Sequence, residues 1–173
     1  LLSPLYSASL LGSEIDFTGG AAEVVRHFPF FGRFTLSLSG EYRLRYRLGS
    51  ERSLPIQERL FLGGADSVRS FTLDTMGLVT DAGAPQGGMS SIEATAELRA
   101  RLLGQLHGAL FYDYGFLSAD SFGITGDSGH ALGTGLRYYL PVGPLRLDFA
   151  YNSGKRYAAE QPWALHFAVG FSY

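Results

Sequence analysis

From Arg33 to Leu48 the chain holds a single two-residue alternation for sixteen residues. Phe34, Leu36, Leu38, Tyr42, Leu44, Tyr46 and Leu48 share one parity, and Arg33, Thr35, Ser37, Ser39, Glu41, Arg43, Arg45 and Arg47 share the other. A period of two is the signature of a β-strand, and this one far exceeds the usual ~5–6 residues. One face must meet something apolar along its whole length, and the other must satisfy charge.

The pattern recurs. Trp163, Leu165, Phe167, Val169, Phe171 and Tyr173 oppose small or polar neighbours, and Leu145, Leu147, Phe149 and Tyr151 oppose Arg146, Asp148 and Asn152. Ile92, Leu98 and Leu102 with three alanines oppose Glu93, Thr95, Glu97, Arg99 and Arg101. Leu132, Leu136, Tyr138 and Leu140 oppose Gly133, Gly135, Arg137 and Tyr139. One such strand would pass for a solvated sheet surface. Repeated in strand after strand, the pattern reads as apolar side chains facing lipid and polar ones facing a lumen. No stretch approaches the roughly 18 consecutive apolar residues of a membrane-spanning helix, and a closed β-wall is the other way to satisfy backbone in lipid.

The alternation predicts about eight strands, at 3–12, 14–28, 32–49, 88–102, 105–117, 129–140, 143–153 and 163–173. Tight links fall at Pro29-Phe-Phe31, Leu103-Gly104 and Pro141-Val142, and a short first link near Gly12-Ser13. The links at 50–87, 118–128 and 154–162 are long and polar. Beyond the first link, long and short alternate, the asymmetry of outer-membrane barrels with tight periplasmic turns. Eleven residues tilted by about 40° rise roughly 28 Å, near the ~25 Å apolar band of such barrels. The 23 glycines, about 13% of the chain against a typical ~7%, fit an all-β fold.

The expected fold is therefore an antiparallel transmembrane β-barrel domain spanning residues 1–173. It is either a small closed barrel or half of a roughly sixteen-stranded one, and the 38-residue loop 50–87 favours the half-wall because a narrow lumen leaves it no room. The N-terminal Leu1-Leu-Ser-Pro4 lacks the charged-then-apolar order of a signal peptide, so the chain reads as a mature form or a piece of a longer one. With no cysteine and a net charge of −2, thiolate metal sites are excluded and nothing points to nucleic acid. His27, His107 and His166 lie on different strands without ligand spacing, so neither metal nor cofactor is expected.

Arg69 lies in the long loop, and Glu97 and Asp113 share inward parity on adjacent strands. A buried arginine needs carboxylates or carbonyls around it. Two readings stand: a solvated loop arginine, or a lumenal lock if the loop folds inward.

A resemblance bears on that choice. Leu54-Pro-Ile-Gln-Glu-Arg-Leu-Phe-Leu-Gly-Gly64 and Val68-Arg-Ser-Phe71 resemble the inward loop of the BamA/TpsB superfamily, the bacterial surface-antigen family, with its Val-Arg-Gly-Phe tip. Phe111-Tyr-Asp-Tyr-Gly115 resembles that family's Phe-x-Asp-x-Gly strand, Gly133–Asp148 its penultimate hairpin, and the final strand its C-terminal assembly signal. The resemblance implies a bacterial outer-membrane barrel that assists insertion or translocation of outer-membrane proteins and is not an enzyme. It also implies a lock of Val68, Arg69, Phe71, Glu97, Phe111, Asp113 and Gly115, and an assembly signal and seam of Phe167, Val169, Gly170, Phe171 and Tyr173. The implied partners are outer-membrane lipid, other outer-membrane or periplasmic proteins, and a missing N-terminal half of the barrel. Two departures stand out. Ser70 replaces the motif glycine, a strained choice if that position needs positive φ, and residues 1–173 include none of the family's periplasmic repeats.

Two rival readings remain. A small lipid-modifying enzyme would use Asp127, Ser128 and His130, whose residue types suit a serine nucleophile with a histidine base. A structural barrel subunit of a larger complex would need no client.

Overall fold

A computed structural model describes residues 2–7, 17–48, 54–141, 143–152, 154 and 161–170. These residues form one antiparallel sheet of eight strands in chain order: β1 (Leu2–Ser7), β2 (Phe17–Phe30), β3 (Phe34–Arg47), β4 (Ser90–Leu103), β5 (Leu106–Ser118), β6 (Asp127–Leu140), β7 (Gly143–Tyr151) and β8 (Trp163–Val169). All eight expected strands are present. The short link near Gly12-Ser13 lies outside the described residues, as do Phe171 and Tyr173 of the expected seam.

β1 and β8 are the two edges of the sheet and do not pair with each other among the described residues. The wall is open, so the small closed barrel is not the arrangement found. Its narrow lumen would have to be filled by side chains, and here the inner face is occupied by a loop instead.

Strand limits differ from expectation where local chemistry overrides the pattern. Pro29 continues β2 opposite Thr35. β1 reaches only to Ala22, so Pro29 has no neighbour on its second side among the described residues and its missing N–H breaks no ladder there. The turn falls at Phe31–Arg33, with Phe31 and Gly32 at positive φ. β6 begins at Asp127, two residues before the expected start at 129.

Side-chain parity follows the alternation. On β5, Ala109, Phe111, Asp113, Gly115 and Leu117 are buried, while Leu110, Tyr112 and Tyr114 are exposed. The exposed face carries Leu132, Leu165 and Phe167, each more than 60% exposed, and no described element covers it. No helix among the described residues is long and apolar enough to span a membrane.

The buried core forms between this wall and residues 54–89, not between two sheets. Leu60, Leu62, Val68, Phe71 and Met76 of that segment pack on Phe111, Leu117, Ala131 and Ala150 of β5, β6 and β7. Each large side chain so buried is worth about 1.5–3 kcal/mol. A single 3-10 turn at Ile56–Glu58 and bridges such as Leu60–Gly88 and Leu62–Met76 give the segment its shape.

Candidate functional site

The tip of the 54–89 segment is a tight turn in which the Phe71 N–H donates to the Val68 carbonyl at 3.1 Å, leaving Arg69 and Ser70 at its corner. Gly63 and Gly64, at φ of 108° and 107°, bend the chain toward it. A Cβ on Gly63 would meet the Thr72 carbonyl oxygen at 2.5 Å. Two glycines of the wall receive the tip. A Cβ on Gly115 would lie 2.6 Å from Val68 Cγ2 and 2.9 Å from Met76 Sδ, and one on Gly129 would lie 2.7 Å from Phe71 Cε2. Gly115 is thus required by close approach and not by backbone angle.

The Arg69 guanidinium meets Asp113 as a two-pronged pair, with Nε donating to Oδ2 at 2.8 Å and Nη2 to Oδ1 at 2.7 Å. Its Nη1 donates to Glu97 Oε2 at 2.9 Å. The Arg69 backbone N–H adds a 3.2 Å bond to Asp113 Oδ2, and Thr95 Oγ1 donates to Oδ1 at 3.1 Å. The guanidinium carbon sits 3.4 Å from the centre of the Phe111 ring, a cation–π contact in a desolvated setting. Arg69 is 5% exposed and Asp113 1%. Burial by itself works against the charged guanidinium; the hydrogen bonds and charges of Asp113 and Glu97 outweigh it and hold the Arg69 pKa above the ordinary arginine value. Such pairs fix orientation as well as charge.

The site extends beyond the residues named by motif. Glu97 Oε2 also accepts from Arg137 Nη2 at 3.1 Å, and Arg137 reaches Asp148. Asp148 Oδ2 lies 3.7 Å from Arg69 Nη1, and Arg146 binds Asp66 of the loop at 2.9 Å. His166 Nε2 donates to the Arg69 carbonyl at 2.8 Å, and Ser70 Oγ donates to the His130 carbonyl at 2.8 Å. Arg137, Arg146, Asp148 and His166 all have inward parity, which was the available signal; what parity lacks is height along the strand. Ser70 is not among the positive-φ residues. The departure from the motif glycine therefore carries no backbone strain and gains a hydrogen bond.

Val68, Arg69, Phe71, Glu97, Phe111, Asp113 and Gly115 thus come together in one cluster. Phe167 and Val169 lie on the outward face of β8, away from it, and Gly170 follows at φ 116°. Asp127 and Ser128 are consecutive in β6 and point to opposite faces, Ser128 and His130 having the parity of the outward Leu132. A Ser–His–Asp arrangement is not assembled there. His27, His107 and His166 lie on β2, β5 and β8.

The Omp85 superfamily domain matches residues 5–173. The chain belongs to the Omp85 superfamily. This is the superfamily of BamA-type barrels that its motifs resemble. The chain is 29% identical over 162 residues to outer envelope protein 80, chloroplastic, of Arabidopsis thaliana, covering 88% of this chain and 19% of that protein. With the protein of the same name from Oryza sativa subsp. japonica it shares 30% identity over 148 residues, covering 80% of this chain and 19% of that one. It therefore spans about a fifth of the length of these relatives. The crystal structure of BamA from Haemophilus ducreyi lacking POTRA domains 1-3 is similar with a TM-score of 0.72 at 18% identity, covering 90% of this chain and 35% of that one. At that identity the likeness shows the fold. Omp85 barrels belong to outer membranes and outer envelopes, and these curated relatives are chloroplastic, so a bacterial source is not shown.

Proposed function

We propose that this Omp85 chain forms part of the wall of an outer-membrane or outer-envelope barrel that assists insertion or passage of other membrane proteins. Residues 1–173 act as one barrel portion, completed by further wall, with loop 50–87 turned inward and Arg69 as its lock. A bacterial outer membrane is the setting its surface-antigen motifs favour. Outer-membrane lipid surrounds the apolar face, and client or periplasmic proteins are the partners. The observation that carries this reading is the buried Arg69–Asp113–Glu97 cluster. It anchors a long loop to the inner wall, a larger investment in buried charge than a passive wall needs.

The test is reconstitution of the intact protein into liposomes, followed by assembly of an unfolded outer-membrane β-barrel client. Arg69→Ala should fold, expose its loop to added protease and lose most of the assembly rate. A parent protein that accelerates no client would refute the insertion reading. An Arg69→Ala protein with full activity and a freed loop would refute the lock.

A further inference from the structure

Carboxylates on the inner face thin out along the strand axis toward the tight turns. Glu23, Glu41 and Glu93 are direct cross-strand partners on β2, β3 and β4, an acidic level with Arg43, Arg45 and Arg47 of β3 beyond it toward the long loop. Around the three tight turns only the basic groups remain. Residues 24–40, 98–112 and 128–147 each carry two arginines and no carboxylate, and of these six arginines only Arg26 has outward parity.

The register brings part of this charge into line. Arg101 pairs with His107, His107 with Arg137, and Arg137 with Arg146, a basic rung running across β4, β5, β6 and β7. Like charges directly opposite one another destabilise a sheet. Arg137 and Arg146 are compensated by Glu97, Asp148 and Asp66. Arg101 has no carboxylate at ion-pair distance among the described residues. Its neighbour Arg99 leans chiefly on hydroxyls, those of Ser37 and of Tyr139 at 3.3 Å. Glu97 Oε1 approaches Arg99 Nε at 3.4 Å, but the other Glu97 oxygen already serves Arg69 and Arg137. Arg33 adds a further guanidinium, donating to the Arg101 carbonyl at 3.3 Å. His27, Arg33, Arg99, Arg101, His107 and Tyr139 all line one cavity of about 640 Å³ on the inner face, whose lining also takes in Glu23, Glu41, Asp66, Glu93 and Glu97.

We propose that the basic rung at the tight-turn end of the inner face is a binding site for an acidic polypeptide segment. Arg101 and Arg33, without a carboxylate at ion-pair distance among the described residues, suit carboxylate side chains, which guanidinium groups grip in two-pronged fashion. The groups point inward, away from the apolar face that meets lipid, so a polypeptide in the aqueous lumen reaches them and a bilayer headgroup does not. This inference does not depend on the insertion reading, because it concerns an equilibrium that needs no client assembly.

Fluorescence anisotropy of the intact protein in nanodiscs, with a short labelled Glu-rich peptide, tests it. The peptide should bind, composition-matched Gln-rich and Lys-rich peptides should not, and binding should weaken as salt is raised. Arg101→Gln, at an exposed position that keeps the fold, should weaken binding about tenfold, the value of one charge-assisted hydrogen bond. Arg101→Lys should retain part of the affinity, and Arg26→Gln, on the outward face, should retain all of it. Equal binding by the Arg101→Gln protein, or by the Gln-rich peptide, would overturn the proposal. So would complete competition by phosphatidylglycerol vesicles with none by phosphatidylcholine vesicles, which would make the rung a headgroup site.

Discussion

Arg69 faces Asp113, Glu97 and, at longer range, Asp148, so its geometry matters as much as its charge. Arg69→Lys keeps the charge and loses the fork, and each charge-assisted bond it fails to remake is worth about 1.5–3 kcal/mol. We expect thermal unfolding in detergent to start well below the parent for Lys and lower still for Ala, which leaves buried carboxylates uncompensated at about 3–5 kcal/mol. Lys matching Arg would mean that only the charge counts. Gly115 is tested in the same assay. Gly115→Ala drives a methyl into Val68 and Met76 and should cost about 1–3 kcal/mol. Ser70→Gly gives up one hydrogen bond and should cost about 1 kcal/mol. A reversed order would show that the loop tip adjusts freely to the wall.

The strand is the unit in which the two environments are separated. Leu38 and Ser39 are neighbours at the same depth in β3, one facing out and one facing the cavity. Leu38→Arg should destabilise by about 2–4 kcal/mol near the bilayer midplane, and Ser39→Arg by much less. Equilibrium folding into lipid vesicles measures both, and equal costs would contradict a lipid-facing wall. β8 has a second role beyond its apolar face. Through His166 it holds the Arg69 carbonyl, so the edge strand, the loop tip and the carboxylates of β4 and β5 form one connected set.

At the scale of the molecule, the open sheet leaves two edges whose backbone groups face no described partner strand. Unpaired edges recruit other strands. Residues 1–173 expressed alone and refolded in detergent should therefore associate, and size-exclusion chromatography with light scattering should report dimers or larger species. A monodisperse monomer would mean that the edges are protected by residues of the chain itself.

The sequence by itself determined which side of each strand every residue occupies, because a two-residue period is a local property that survives in any register. It determined the strand count, the alternation of tight and long links, and the inward parity of Glu97, Asp113, Arg137, Asp148 and His166. Val68, Arg69 and Phe71 were legible through motif, as was the seat at Gly115. Only the tertiary structure decided who meets whom. Height along a strand depends on register, which couples residues far apart in sequence, so no local pattern could bring Arg137 to Glu97, His166 to the Arg69 carbonyl, or Arg101 into line with His107. Ser70 gives the same lesson in reverse: motif logic warned of strain, and the folded backbone, set by the packing of Val68 and Phe71 on Gly115 and Gly129, never asks that residue for a positive φ. The choice between closed barrel and open wall was also tertiary, since alternation is identical in both and only the pairing of the first and last strands distinguishes them.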